Sequence, residues 1–327
     1  MSDTIAWGIL GCGAIARKFA QGLRDVPDAR LHAVGARNPA SAREFGAEYR
    51  ITRCHGDYMA LVNDPTVDVI YIATPHVFHA AQTRLCLEAG KAVLCEKPFT
   101  LNATEAADVI ALARARGLFL MEAMWSRFLP AMVEAKKIAL SGELGALLHA
   151  HAAFGFNMQL GPDHRVNDPQ LGGGALLDLG IYPLSLAAHF LGPIADVRTL
   201  ATIGETGVDV QTGFTARHQQ GGISTGFCSM RANTAAGAIV SGTHGHLRIH
   251  TPFYKAERLT VVPDSGPARM LELPHLGNGY THEAIEVGRC LRAGLIESPV
   301  MPLDQSLALM QTMDTMREQF GLHYPGE

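Results

Sequence analysis

Three residues of this chain carry side chains suited to moving a proton or to holding charge beside one: Lys97, Asp178 and Tyr182. Asp178 and Tyr182 lie in Gly172–Pro183, GGGALLDLGIYP, where three glycines lead into an apolar run with one acid and one phenol. If the segment is helical from about Gly174, spacings of four, three and four put Asp178, Tyr182, Ser185 and His189 on one face. A polar stripe on an otherwise apolar helix meets a cavity or polar partners. Gly180 and Pro183 predict a kink or a break, because Pro183 cannot donate to the Leu179 carbonyl. Taken alone, the segment reads equally as a buried helix with a satisfied polar pair.

Lys97 closes Lys91–Pro98, KAVLCEKP, an apolar strand followed at once by Glu96, Lys97 and a proline. Ligands of open α/β sheets bind beyond the carboxyl ends of the strands, where this lysine falls. Pro98 holds Lys97 extended. By itself the Glu96–Lys97 pair reads as well as a surface ion pair. Beside Tyr182 it makes chemistry. Oxidising a secondary alcohol requires a hydride acceptor and a base for the hydroxyl proton. A tyrosine, with an ordinary pKa of about 10, needs a neighbouring cation to serve as that base near neutrality. Tyr182 is therefore the candidate general acid/base, Lys97 its electrostatic partner, and Asp178 the group that orients substrate hydroxyls or Lys97. The alternative Tyr-x-x-x-Lys arrangement is absent, since none of the seven tyrosines has a lysine four positions on.

The hydride acceptor is announced at the N-terminus. Ile5–Ala16, IAWGILGCGAIA, reads as strand, glycine turn and helix start, and fits G-x-G-x-x-[GA] through Gly11, Gly13 and Ala16. Gly11 permits the tight turn, Gly13 lets backbone approach a pyrophosphate, and Ala16 lets helix and sheet pack closely. Cys12, Ala14 and Ile15 complete the turn, whose helix end offers free N–H groups to an anion. The next strand ends Gly35-Ala36-Arg37-Asn38, with Arg37 where an NAD site carries an acid. A guanidinium suits a 2′-phosphate, so the expected cofactor is NADP(H), with Arg43 a second contact. The other reading of Arg37 is a solvated surface arginine.

These residues need elements to hold them. Strands are predicted at Thr4–Leu10, Leu31–Ala36, Val67–Ile72, Lys91–Cys95 and Leu118–Met121, alternating with helices at Ala14–Asp25, Pro39–Ala47, His79–Ala89 and Ala103–Arg116. Apolar strands separated by helices mean a parallel sheet covered on both faces. After a helix at Phe128–Ser141, short β-like runs dominate (147–156, 194–203, 211–219, 222–230, 238–242, 246–250 and 257–262), and helices return at Thr281–Ala293 and Asp304–Phe320. The fold class is α/β: a doubly wound Rossmann domain over 1–123, then an α+β domain over 124–327 with a large, mostly antiparallel open sheet and a C-terminal helix expected to pack back on the first domain.

With 47% hydrophobic and 18% charged residues the chain is globular, and its net charge of −4 gives no reason to expect nucleic acid as a partner. No apolar run approaches the roughly 20 residues of a membrane helix, and no signal peptide is evident. Six scattered cysteines without a CxxC pair read as reduced thiols, so a cytoplasmic location is expected. His149 and His151, and His244 and His246, share strand faces without a third ligand, so no metal is expected.

GCGAIA, Thr74-Pro75 with His79, Glu96-Lys97-Pro98 and GGGALLDLGIYP together resemble the Gfo/Idh/MocA oxidoreductases, the glucose–fructose oxidoreductase family. MEAMWSRF from Met121, GYTHEA from Gly279 and SPVMPLD from Ser298 resemble its dimeric dihydrodiol dehydrogenase and NADP-dependent D-xylose dehydrogenase branch. The likeness spans essentially the whole chain. It implies a two-domain fold, hydride transfer at a carbinol or aldose centre, a sugar or trans-dihydrodiol substrate, and a homodimer through the C-terminal sheet. It also supports Lys97 and Tyr182 in catalysis, and implies cofactor contacts from Thr74, Pro75, His79, Glu96 and Lys97. Many relatives carry histidine where this chain has Tyr182, which argues against inositol-dehydrogenase-like chemistry. Trp125, Arg127 and Phe156 are candidates to line the substrate pocket, with packing at a domain junction the other reading. His79 is a candidate helix cap as well. The competing hypothesis is a non-catalytic NADP-binding regulatory protein of the same fold.

Overall fold

The computed structural model describes residues 4–327. The chain forms two compact units, one running to Phe128 and joined by Leu276–Leu307, the other made of Leu129–His275 and Ala308–Glu327. The sequence predicts a boundary at 123/124 with a C-terminal helix returning to the first domain; the chain leaves the first unit after Phe128 and re-enters it at Leu276.

In the first unit, β1 (Ile5–Leu10), α1 (Ala14–Leu23), β2 (Ala29–Gly35), α2 (Pro39–Tyr49), β3 (Arg53–His55), α3 (Tyr58–Val62), β4 (Val69–Ile72), α4 (His79–Glu88), β5 (Ala92–Glu96), α5 (Ala103–Arg116) and β6 (Leu120–Ala123) follow one another. The strands pair in parallel in the order β3-β2-β1-β4-β5-β6. Every residue of β1, β4, β5 and β6 is buried, which is why these strands read as unbroken apolar runs. Local chemistry sets the helix ends. Asn38 accepts from the Ala40 N–H ahead of Pro39, and Asn102 caps α5, which stops at left-handed Gly117. β3 and α3, not predicted from the sequence, are too short to carry a period.

In the second unit, α6 (Pro130–Leu140) precedes β7 (Leu147–Gly155). Then come α7 (Ile181–Leu191), β8 (Ile194–Ile203), β9 (Asp209–His218), β10 (Ile223–Ser229), β11 (Ala238–Gly242), β12 (Gly245–Ile249), β13 (Arg258–Pro263) and β14 (Arg269–Glu272). The order is β14-β13-β12-β11-β7-β10-β9-β8; β7 and β10 pair in parallel and the other neighbours are antiparallel. β9 and β10 alternate buried and more exposed residues, so one face is covered and one open. β14, not predicted from the sequence, has no buried residue and hence no apolar signal. Two helices complete the chain: α8 (Thr281–Arg292) in the first unit and α9 (Leu303–Phe320), most of which belongs to the second. Pro169–Leu191 is long and apolar enough to cross a membrane, contrary to the expectation from sequence, but its apolar window is 94% buried inside the protein, as a core segment is.

Candidate active site

The glycine loop follows β1. Gly11 has φ +104, and a Cβ on it would sit 3.0 Å from the Ala73 carbonyl oxygen, so only glycine fits. Gly13 is different. It is the N-cap of α1 with no side chain capping the helix, and a Cβ there would meet nothing nearer than the Ala73 oxygen at 3.9 Å. Packing within the protein therefore does not demand this glycine; the space it leaves over the helix N-terminus fits the approach of a dinucleotide pyrophosphate. Ala16 is fully buried. The Cys12 carbonyl accepts from Arg17 Nη1 at 2.6 Å, and burial pushes the Cys12 thiol up to about 11, so it stays protonated near neutrality.

A hollow of about 380 Å³ opens beside this loop, lined by Gly11, Cys12, Arg17, Arg37, Glu44 and Tyr58 among others. The structure thus brings Arg37 and the glycine loop together. The Arg37 guanidinium lies over the Phe78 ring at 5.5 Å, and Tyr58 is a lining residue that no motif marks in the sequence. Arg17, not Arg43, is the second guanidinium of the lining.

His79 is fully buried. Its Nδ1 lies 2.8 Å from the Pro98 carbonyl and its Nε2 2.9 Å from the Thr74 carbonyl. It ties together the loops that leave β4 and β5. Pro75 begins a short 3-10 turn, His76–Phe78. Lys97 is the only residue of 91–100 that is not buried, and the peptide bond to Pro98 is cis. Glu96 turns inward, accepting from the Tyr71 hydroxyl and, at 3.1 Å, from the Lys97 N–H. Trp125 stacks on Tyr280 with ring centroids 4.6 Å apart. Arg127 is buried and donates to Gln305 Oε1 at 2.6 Å; burial lowers its pKa to about 10 against the pull of Glu122. In these contacts both residues pack the inside of the first unit.

The second unit explains the three glycines. Gly172 has φ +70. A Cβ on Gly173 would lie 2.6 Å from the Val166 carbonyl oxygen, and one on Gly174, at φ +125, would collide with Asp209 Oδ1. The buried Asp209 carboxylate accepts from the Leu176 N–H and the Thr212 hydroxyl, at 2.8 and 2.7 Å, and Tyr324 donates to the Gly173 carbonyl. No break follows. Leu176–Gly180 forms a π turn, the Ile181 N–H reaching back to the Leu176 carbonyl, and α7 starts at Ile181. Pro183, which has no N–H to give, comes three residues after the π turn. Asp178 sits within the π turn and Tyr182 after it, so the shared face inferred from 3.6 residues per turn holds within α7 alone, for Tyr182, Ser185 and His189.

Asp178 and Tyr182 are each 7% exposed. Asp178 accepts from Arg165 Nη2 at 3.2 Å, a partner without a motif to reveal it. The Tyr182 ring stands edge-on to Phe154 at 5.2 Å and 5.7 Å from Tyr254; Phe154 also contacts Phe156 and Phe253. Phe156 is 39% exposed. Phe253 and Tyr254 lie in a 3-10 turn after β12, and a turn of that length carries no periodic signal by which the sequence could have announced them.

Residues 5–124 match the model of the oxidoreductase family with an NAD-binding Rossmann fold, and residues 132–248 match the GFO/IDH/MocA C-terminal domain. The trans-1,2-dihydrobenzene-1,2-diol dehydrogenase of Mus musculus is 38% identical over 98% of both chains. The NADP(+)-dependent D-xylose 1-dehydrogenase of Hypocrea jecorina is 33% identical over 98% of this chain and 93% of its own. Among solved structures, the 3-ketoreductase KijD10 of Actinomadura kijaniata, in complex with NADP and TDP-benzene, has 26% identity and a TM-score of 0.84 over 97% of this chain and 98% of that one.

Proposed function

This chain belongs to the Gfo/Idh/MocA oxidoreductase family, and from that premise we propose that it oxidises ring substrates bearing adjacent hydroxyls with NADP⁺, trans-dihydrodiols first and aldopyranoses such as D-xylose second. It is a dehydrogenase acting on CH–OH groups, with a nicotinamide cofactor. The observation that carries the NADP(H) reading is Arg37 in the hollow beside the glycine loop, where an acid would serve NAD(H). Whole-length likeness to dihydrodiol dehydrogenases and the aromatic rings around Tyr182, which offer a flat apolar surface, support a diol ring as substrate. The aldopyranose reading is favoured by the likeness to a xylose dehydrogenase.

The bound cofactor would supply the hydride acceptor. Gly11–Ala14 would hold its phosphates and Arg37 its 2′-phosphate. In this reading Tyr182 takes the hydroxyl proton, Lys97 stabilises the phenolate form, and Asp178 orients the hydroxyls. Absorbance-monitored NADP⁺ reduction over trans-dihydrodiols, aldopyranoses and inositols tests it. Turnover with a diol or pyranose is expected, and Tyr182→Phe and Lys97→Met should each lower kcat by roughly 10²–10⁴-fold while NADP⁺ still binds. No reduction with any substrate, or near-wild-type turnover in either variant, defeats the reading. We also propose a homodimer through the open face of the large sheet, which carries Ile223 and Leu200, the latter 84% exposed. A monomer in sedimentation equilibrium would rule this out.

A further inference from the structure

Of the five acids buried in the first unit, Asp64 pairs with Arg53 and Glu286 with Arg289, and three remain that the proposed reaction does not use. Glu96, Glu122 and Glu283 are exposed by only 4%, 1% and 0%. Glu96 is well partnered, by the Tyr71 hydroxyl and by the main-chain N–H of Lys97. Tyr71 is itself wholly buried and stacks on Phe19 with centroids 3.8 Å apart, so its hydroxyl has little freedom. Both carboxyl oxygens of Glu122 lack a hydrogen-bond partner among the described residues, but the Arg127 guanidinium offsets its charge; Glu283, in the first turn of α8, has no such offset. Among the described residues neither of its carboxyl oxygens has a hydrogen-bond partner, and the charge that acts on it is the like charge of Glu96. An ionised carboxylate left dry, without a cation or a donor, is strongly disfavoured, and a proton removes that penalty.

We propose that Glu283 is a neutral carboxylic acid at neutral pH and that, with Tyr71, it is a positioning residue for Lys97, acting through Glu96. The inference rests on the reading of Lys97 as a catalytic residue. With Glu283 neutral, Glu96 keeps a single negative charge between the Tyr71 hydroxyl and the Lys97 N–H, which fixes the backbone from which the Lys97 ammonium projects. The other titratable groups around this site do not compete for the role. Burial holds the Tyr71 phenol on β4 and the Cys95 thiol on β5 far above neutrality. Tyr280, just before α8, acts on Tyr71, and Glu122 on β6 has the Arg127 guanidinium and Lys97 to offset it. Burial, and after it the Glu96 charge, push Glu283 in the same direction as the geometry.

The test is infrared spectroscopy of the full-length protein at neutral pH, read as wild type minus Glu283→Gln, together with kinetics. A protonated-carboxyl band in the difference spectrum is expected. Tyr71→Phe and Glu283→Ala should lower kcat roughly 10–100-fold with KM and the NADP⁺ Kd little changed, and Glu283→Gln should recover the loss of Glu283→Ala. If Glu283→Ala does not fold, Tyr71→Phe and the infrared difference decide. Absence of the band, or wild-type kcat in Tyr71→Phe, overturns the proposal. Full turnover in Lys97→Met would instead defeat the assignment of Lys97, and the infrared band is indifferent to that result.

Discussion

Arg37 offers a fork of N–H donors that a phosphate can use in two places and a ribose hydroxyl cannot. Arg37→Ala should therefore lower kcat/KM for NADP⁺ by roughly 10–100-fold and leave NAD⁺ nearly untouched. An unchanged ratio of the two removes the cofactor assignment. At this scale Arg37, Gly11 and Lys97 are legible in the sequence, because each is defined by neighbours within a few positions. Their supports are not. Tyr71 meets Glu96 across 25 positions, Asp209 meets Leu176 across 33, and Arg165 meets Asp178 across 13. A single buried hydrogen bond between distant residues leaves no period and no motif.

The segment from Gly172 to Leu191 joins a glycine run, a π turn and a helix. Glycine and proline signal irregularity in the sequence but not its form, since a kink, a break and a π turn all accommodate Pro183. Asp209 anchors the front of this element. Burial raises its pKa to about 6 against the pull of its hydrogen bonds, and Oδ1 has no partner among the described residues. The folded protein thus keeps a proton that the unfolded chain loses near pH ~4. The stability linked to that proton is complete below pH ~4 and is lost as pH rises to about 6. Asp209→Asn keeps an oxygen for the Leu176 N–H and does not titrate. Thermal melts from about pH 4 to 7 should show the wild type losing roughly 3 kcal/mol relative to Asp209→Asn. Parallel pH profiles for the two proteins would contradict the assignment, and the other buried acids cancel in the comparison.

Over the whole molecule the parallel and antiparallel halves are legible because burial on two faces and burial on one face write different patterns into strands. The discontinuity of the first unit is legible only as the return of a C-terminal helix, since nothing local in Leu276–Leu307 says where the return begins and ends. Within that unit Thr281 donates to the Gly22 carbonyl and Asn278 to the Lys18 carbonyl, so the late segment closes onto α1. Ribosome-stalled chains ending at His275 should therefore be cut by protease within the first unit far faster than chains that expose Leu307, and equal resistance would show that the segment is dispensable. On a translating ribosome, the strands of the nucleotide fold emerge early and then wait while residues 129–275 are made, on the order of 10 s. For that interval the place that Glu283 later takes stands open, and the nascent enzyme is most exposed to chaperones before its nucleotide fold has closed.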